Sequence, residues 1–371
     1  MPAALDNLKI LDFSRVLAGP FATMMLADLG ATVTKVERPG SGDDTRAWGP
    51  PHDADGIATY FDALNRNKSS IALDLGDPAD LARARALAAE ADVVVENFRP
   101  GVMERLGLGD AQLRAEHPGL IYCSISGFGP GAGAAMPGYD LLIQALGGLM
   151  SVTGAADGEP QKVGVALVDV LAGLFSSVGI LAALHHRERT GEGQLVEVDL
   201  LSSLLAALVN QGSAFIAGGV VPQRMGNAHP SVAPYELLAT AEGELVLAVG
   251  NDRQFAALCT VLGAPGMASE PRFATNADRV AARVVLRAEL EVLLAARPAV
   301  EWVAELTAAR VPAGMVNDVG AAFALAGSLG LDPIVELQRE GGSPVAVTRN
   351  PIGLSATPVT YRTAPPRLPT P

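Results

Sequence analysis

Short apolar runs alternate with helix-patterned stretches through the first 130 or so residues, and this alternation constrains the fold more than any other feature. Leu8–Phe13 (LKILDF) reads as a strand. Pro20 opens a helical stretch that Gly30 closes, with proline at the favoured first position. Residues 31–40 return to strand and run into a loop, and IALDL (71–75) is a further short strand. Residues 77–91 form an amphipathic helix, with Asp77 as N-cap ahead of Pro78. VVVEN (93–97) reads as a buried strand and LIYCSISGFG (120–129) as another. Strand, helix and strand in regular succession predict an α/β fold with a parallel, doubly wound, Rossmann-like sheet.

The 371 residues exceed the size at which a single core keeps growing, so two domains are expected. Composition changes near Gly218. Residues 218–234 are rich in Gly and Pro and read as a linker or lid loop. Residues 235–251 follow as a hairpin turning at Glu242-Gly243-Glu244, and helical segments continue to about Arg310. Strand character returns from Pro344 to Tyr361, and residues 364–371 lack a regular pattern. The second block is therefore a smaller α+β domain.

The net charge of -13 disfavours nucleic acid as a ligand, because phosphate-backbone binding needs a basic surface, while a local basic cluster still admits small anions. The two cysteines, Cys123 and Cys259, are far apart, so neither a disulfide framework nor a cysteine metal site is expected and a reducing cytoplasm fits. The opening MPAALDNLKI lacks the basic and apolar regions of a secretory signal. The longest apolar run, Val170–Leu184, falls short of the roughly 20 residues that span a bilayer. It reads as a buried core helix, with no membrane partner.

Function turns on Pro137–Asp169, where Asp140 and Asp169 each open an apolar helical run on either side of a Gly-rich segment. Each carboxylate reads either as a helix cap or as a poised nucleophile. Two features favour an active role. Asp169 emerges from the apolar run VGVALV, and Asp140 follows Gly138 and Tyr139, which offer close backbone approach and a phenol. The first βα turn, VLAGPFATM, lacks the G-x-G-x-x-G that lets a backbone approach a pyrophosphate, so no NAD site is expected despite Glu37 at the end of the next strand. Arg15, Lys35, Arg38, Arg46, Arg66, Lys68, Arg99 and Arg105 lie at strand ends and loops, where they read as a solvated face or as phosphate ligands. His185 and His186 read as the end of a helix, serving its dipole rather than a metal. No histidine pair has zinc spacing, and neither a G-x-S-x-G elbow nor a Walker loop is present.

Taken in order, LDFSRVLAGPFATMMLADLGATVTKVERPGSGDDTR, NRNKSSIALDL, ADVVVENFRPGVMERLGL, PGYDLLIQALGGLMSVTG, the Val-Asp of Asp169, GILAALHHRERTGEGQLVEVDL, GNAHPSVAPYE and VGNDRQF resemble the family III CoA-transferases (CaiB/BaiF family) along nearly the whole chain. The resemblance implies a large Rossmann-like domain built from both chain ends (1–217 and 331–371), a linker and small domain inserted at 218–330, and an interlaced homodimer. It implies that Asp169 attacks an acyl-CoA thioester and passes through an acyl-aspartyl anhydride and an aspartyl-CoA thioester before CoA moves to an acceptor carboxylic acid. Coenzyme A is then a substrate, and neither metal nor NAD is required.

The same matching assigns oxyanion stabilisation to the backbone at Leu17-Ala18 and to the loop of Gly226 and Asn227, which closes over Asp169. Arg38, Asn97, Phe98, Arg105 and the strand Ala72, Leu73, Asp74 and Leu75 are matched to CoA, with Val16, Arg99, Pro137 and Gly138 on the same side. Trp48, Tyr60 and His229 fall near the substrate, and Asp140 beside Asp169. Tyr139 stands where the α-methylacyl-CoA racemases of this fold carry a histidine, which favours transfer over racemisation, since racemisation needs a second base tuned near neutral pH. The competing readings are a racemase, a CoA-binding protein without turnover and, disfavoured by the missing glycine fingerprint, a nicotinamide dehydrogenase. Relatives continue past the APP segment into a C-terminal helix; with RLPTP there instead, less cover is expected for the dimer surface and the CoA pocket rim. Members that use succinyl-CoA and dicarboxylate acceptors resemble the chain most in PGYDLLIQA and GNAHPSVAPYE.

Overall fold

A computed structural model describes residues 2–369. In chain order the elements begin β1 (Lys9–Asp12), α1 (Ala18–Asp28), β2 (Thr32–Glu37), α2 (Thr59–Asp62), β3 (Lys68–Ala72), α3 (Pro78–Ala89), β4 (Val93–Glu96), α4 (Val102–Arg105), α5 (Asp110–Glu116) and β5 (Ile121–Ser126). Next come α6 (Asp140–Leu146), α7 (Leu149–Val152), α8 (Leu167–Thr190), β6 (Leu195–Asp199), α9 (Leu200–Ala207) and α10 (Val209–Ile216). The remainder is β7 (Tyr235–Ala239), β8 (Glu244–Ala248), α11 (Asp252–Val261), α12 (Asn276–Ala281), α13 (Arg283–Leu294), α14 (Ala299–Ala308), β9 (Ala313–Gly314), α15 (Val319–Ser328), β10 (Ile334–Leu337) and β11 (Val345–Thr348). The chain divides into two compact units, one of residues 2–149, 162–220 and 332–369, the other of 150–161 and 221–331.

The first unit holds a six-stranded parallel sheet in the order β3-β2-β1-β4-β5-β6. Successive side chains of a strand face opposite ways, and the apolar strands supply both faces. Ile10, Val93, Val95, Ile121, Cys123 and Ile125 pack on one side with residues of α1, α8 and α9. Leu11, Val94 and Tyr122 face the other side, with Ala84 and Ala88 of α3, Met103 of α4 and Leu113 of α5. Chain order reverses between β1 and β4, so the crevice beyond their carboxyl ends is the natural ligand position in such a sheet.

The returning C-terminal segment completes this unit. Arg362 donates to the carbonyls of Ala27, Gly30 and Ala31 at 2.7–3.0 Å, tying the segment to the end of α1 and the turn after it. Arg339 bonds Asp62 at 2.7 Å and also Asp53, fastening residues 53–62. Burial raises Asp62 to about 6 against the pull of Arg339. β10 and β11 pair antiparallel beside this contact.

The second unit is built on an antiparallel sheet, β7-β8-β9, whose hairpin register sets Leu238 opposite Leu245. Phe255, Leu286, Leu290 and Trp302 of the covering helices fill its core. Residues 150–161 join it through local bonds: Gly226 N–H donates to Gly154 at 3.0 Å, and Arg224 donates to the carbonyls of Ala155 and Gly158.

A buried ion network lies beneath the β1–α1 turn. Lys68 reaches Asp12 at 3.2 Å, and Lys35 reaches Asp43 at 2.8 Å, all with side chains fully removed from solvent. Lys35 also donates to the Ser14 carbonyl at 2.8 Å, and Asp12 accepts from Thr23 at 2.6 Å. Burial alone would raise Asp12, but Lys68, Lys35 and the two hydroxyls hold it below its usual value. Glu37 binds Arg46 through both oxygens at 2.7 Å, and Arg66 holds Asp28 at 2.6 Å. Four of the eight cations that read as phosphate ligands or surface charge, Lys35, Arg46, Arg66 and Lys68, are therefore internal counter-ions.

Other local readings are also corrected. Helix α1 starts two residues before Pro20, which occupies its third position. β3 ends at Ala72, so Leu73, Asp74 and Leu75 follow the strand rather than form it, and Leu73 is buried in the core. His185 and His186 lie inside α8, which runs to Thr190 and stops at Gly191 in the left-handed conformation (φ 78°). That helix has 24 residues and contains an 18-residue window of mean hydropathy 2.1, enough by length and composition to cross a membrane, so the shortness of the Val170–Leu184 run excludes nothing. Here α8 packs against α1, α6, α9, β5 and β6.

Removing one partner of a buried ion pair leaves an uncompensated charge, whereas surface pairs contribute little. Asp12→Ala should cost about 3–5 kcal/mol of unfolding free energy by denaturant titration. Asp44→Ala, which removes the half-exposed partner of Arg15 and Arg38, should cost less than about 1 kcal/mol.

Candidate active site

A cavity of about 200 Å³ opens at the strand-order reversal. Its wall comes from the loop after β1, the loop after β4, the glycine-containing loop after β5, and Asp169. The first loop carries Val16 at φ 69°, a costly conformation for a β-branched residue. The strain is held from both sides: Asn97 accepts from Arg15 N–H at 2.8 Å and donates to the Arg15 carbonyl at 2.7 Å, while Val16 N–H donates to Asp43 at 3.3 Å. Leu17 and Ala18, at the start of α1, line the cavity, and the first amides of a helix have no intrahelical acceptor.

Opposite lies Pro137-Gly138-Tyr139. Gly138 is required by contact: a Cβ there would sit 2.5 Å from the Gly127 Cα, and a Cβ on Gly127 would sit equally close to Gly138. Two backbones touch where the β5 loop passes the start of α6. Tyr139 is exposed at the cavity, and Asp140 begins α6.

Neither aspartate is an N-cap. The N-cap positions of α6 and α8 are Tyr139 and Ala166, and neither makes a side-chain cap. Asp140 instead serves the neighbouring helix, accepting from Val168 N–H in the first turn of α8 at 2.8 Å, while its other oxygen accepts from Gln144 at 2.6 Å. Asp169 occupies the third position of α8, half-buried and facing the cavity. Burial, reinforced by the negative charge of Asp140, pushes its carboxyl up to about 7. Tyr60 belongs to the same cluster: burial and then the charges of Asp169 and Asp140 push its phenol up to about 12. The Trp48 indole meets the Tyr60 ring edge-on, with centroids 5.4 Å apart.

Val16, Leu17, Ala18, Asn97, Phe98, Arg99, Pro137, Gly138, Tyr139 and Asp169 thus share one cavity. Arg38 lies outside its wall but shares Asp44 with Arg15, at 2.5 and 3.3 Å, and Asp44 and Arg15 both line it. Arg105 is exposed on α4, and Ala72–Leu75 lie at the end of the edge strand β3, away from the wall. Gly226, Asn227 and His229 belong to the second unit, where Gly226 adopts φ 61° and the His229 ring lies 5.3 Å from that of Tyr235. Sequence reasoning passed over Asp43, Asp44, Gln144 and the 125–129 loop. The loop's Gly-Phe-Gly immediately after a strand could have flagged it, but the polar side chains carried no local signature.

The cavity has polar walls, cationic Arg15 and Arg99 near its edge, helix-start amides and one carboxylate of raised proton affinity. This suits nucleophilic acyl chemistry on a substrate with an anionic arm. Comparisons with known proteins give the family. Residues 5–370 match the model of CoA-transferase family III. The chain is 44% identical to the succinate–glutarate CoA-transferase of Agrobacterium fabrum, over 98% of its own length and 92% of that protein's. It is 42% identical to the acetyl-CoA:oxalate CoA-transferase of Acetobacter aceti, over 94% and 89% of the two chains. The crystal structure of a CaiB/BaiF family protein from Brucella suis superposes with a TM-score of 0.87 at 43% identity, covering 99% of this chain and 97% of that one. The chain is therefore a member of the family III CoA-transferases.

Proposed function

We propose that this enzyme moves CoA from a short acyl-CoA, succinyl-CoA foremost, to a small dicarboxylic acid through covalent intermediates on Asp169. The observation that carries the reading is the Asp169 carboxyl itself, facing the cavity beside Asp140 at the start of α8. A carboxylate Oδ attacks the thioester carbonyl carbon, the C–S bond breaks, and CoA leaves as a thiolate, giving an acyl-aspartyl anhydride. The thiolate then attacks Cγ of Asp169 and expels the donor acid as its carboxylate, leaving an aspartyl-CoA thioester. The acceptor carboxylate attacks that same Cγ and releases the thiolate, which attacks the acceptor's acyl carbon and frees Asp169. Bonds and charge balance without ATP, metal or net proton transfer.

Each tetrahedral oxyanion needs donors, and we assign that role to the amides of Leu17 and Ala18, two residues that line the cavity. Partial exclusion of water raises the nucleophilicity of Asp169 and protects the anhydride from hydrolysis. Arg15, Arg38 and Arg99 are the cations of this region suited to the phosphates of CoA. The names of the Agrobacterium and Acetobacter relatives support a dicarboxylate acceptor. Tyr139, in place of a histidine, supports transfer over racemisation.

In this reading the protein works in the cytoplasm as an interlaced homodimer, with the first unit as its large domain and the second as its small one. Support for a second copy comes from apolar faces that the single chain leaves open: Phe175 and Val178 of α8, and Val209, Phe215 and Ile216 of α10, whose helix buries nothing. Light scattering should return twice the chain mass, and a monomeric mass would remove the dimer from the reading.

Incubating acyl-CoA donors with free dicarboxylates should give CoA exchange by chromatography in wild type and none in Asp169→Ala, while hydroxylamine or borohydride added during turnover should label Asp169. Exchange by Asp169→Ala at the wild-type rate would sink the mechanism. Because the attacking form is the carboxylate, kcat/KM should rise with pH through about 7, and Asp140→Asn should move that midpoint down. The raised folded-state value has a stability sign: the folded protein binds more protons than the unfolded chain between about 4 and 7, so stability falls as pH rises through this window. Asp169→Asn should therefore melt above wild type at about pH 8, with the gap closing near pH 4.

A further inference from the structure

Gln144 is fully buried yet lies outside the cavity wall and outside every apolar cluster. Its amide is used at both ends. Nε2 donates to Asp140 at 2.6 Å and lies 3.5 Å from the Val165 carbonyl, while Oε1 accepts from Val163 N–H at 2.9 Å. Asp140 in turn accepts from Val168 N–H, the amide immediately before Asp169. Thus one side chain ties α6, the 163–165 segment and the first turn of α8 together.

We propose that Gln144 is a positioning residue that holds Asp140 as an acceptor-only carboxylate and, through it, fixes the turn that presents Asp169 to the cavity. The proposal rests on Asp169 being the nucleophile. Both Asp140 oxygens are occupied by N–H donors, so its charge stays beside Asp169 and the Val168 amide stays capped. A buried polar group with all its bonds satisfied has one favourable arrangement, and losing a donor leaves its partner to find another.

Asp140 from α6 and Tyr60 from α2 are the groups acting electrostatically in this cluster. The other elements packed on α8 have their charges committed elsewhere: Asp28 of α1 to Arg66, and Asp199 of β6 to the Ser202 amide. Glu197 of β6 and Tyr122 of β5 line a separate small cavity with Glu96, and burial keeps the Cys123 thiol of β5 neutral.

Gln144→Glu keeps the shape and the acceptor for Val163 but sets an oxygen against the Asp140 oxygen. At about pH 8 its kcat should fall about tenfold or more, the factor expected for losing a hydrogen bond to a charged group, with KM for acyl-CoA within about twofold of wild type. The loss should shrink as the pH is lowered, because one proton shared by the two carboxyls restores a donor, in the opposite sense to the wild-type profile. Asp140→Asn combined with Gln144→Glu swaps donor and acceptor, preserving the 140–144 bond and the bonds from Val163 and Val168 N–H while losing the longer one to the Val165 carbonyl, and should recover part of the kcat lost by the single change.

A merely structural Gln144 would give a proportional loss at every pH and no recovery in the swap. That result, or a wild-type kcat and pH profile in Gln144→Glu, overturns the proposal. If the single variant does not fold, the swap decides alone: a folded, active double variant supports the proposal and an unfolded one overturns it. Wild type in the same assay separates the two levels, since absence of CoA exchange there removes the nucleophile reading and this inference with it, whereas normal exchange with an unaltered Gln144→Glu profile removes only the role of Gln144.

Discussion

The turn between β1 and α1 depends on four charges that never meet water. Asp12, Lys68, Lys35 and Asp43 interlock beneath it, and Lys35 also takes the Ser14 carbonyl. Burying ions costs several kcal/mol each before pairing returns it, so such a network stabilises little in total but penalises any rearrangement heavily. That penalty lets the turn hold Val16 in a left-handed conformation and keeps Leu17 and Ala18 on the cavity wall. The scaffold under the site is polar and rigid, whereas the scaffold around it is ordinary aliphatic packing.

The framework was largely legible because it obeys local rules. β1, β2, β4 and β5 lie where apolar runs pointed, and Asp77 caps α3 by accepting from the amides of Ala79 and Asp80, as its place before Pro78 foretold. The start of α1 and the end of β3 were misread for a tertiary reason. Pro20 fits a helix's third position when a strained turn delivers the chain early, and a continuous apolar run gives no sign of where strand pairing stops. The length of α8 was underestimated because the polar residues from His185 to Arg189 ended the apolar run without ending the helix.

Charges were the least legible part. Arg15, Lys35, Arg46 and Lys68 look alike in sequence, and only tertiary pairing separates Arg15, on the cavity wall, from the other three, spent on internal carboxylates. The two aspartates were readable as a pair, but their geometry was not. Whether Asp140 caps its own helix or the next depends on how α6 meets α8, which no spacing rule encodes. Gln144 was silent for the same reason: a glutamine inside an apolar helix has no signature until both of its partners, on other segments, are in place.

The seat of Asp169 has an energetic corollary. At the third position of a 24-residue helix it meets the positive end of an aligned array of peptide dipoles, which favours the anion, while the carboxylate of Asp140 next door disfavours it. On the proposed route, acylation would erase the charge at this point and deacylation would restore it. Burial and the Asp140 charge outweigh the dipole, since the carboxyl is pushed up to about 7, so the free anion is the disfavoured state. In that proposed cycle the surroundings that ease loading of the carrier would resist its release by the same measure.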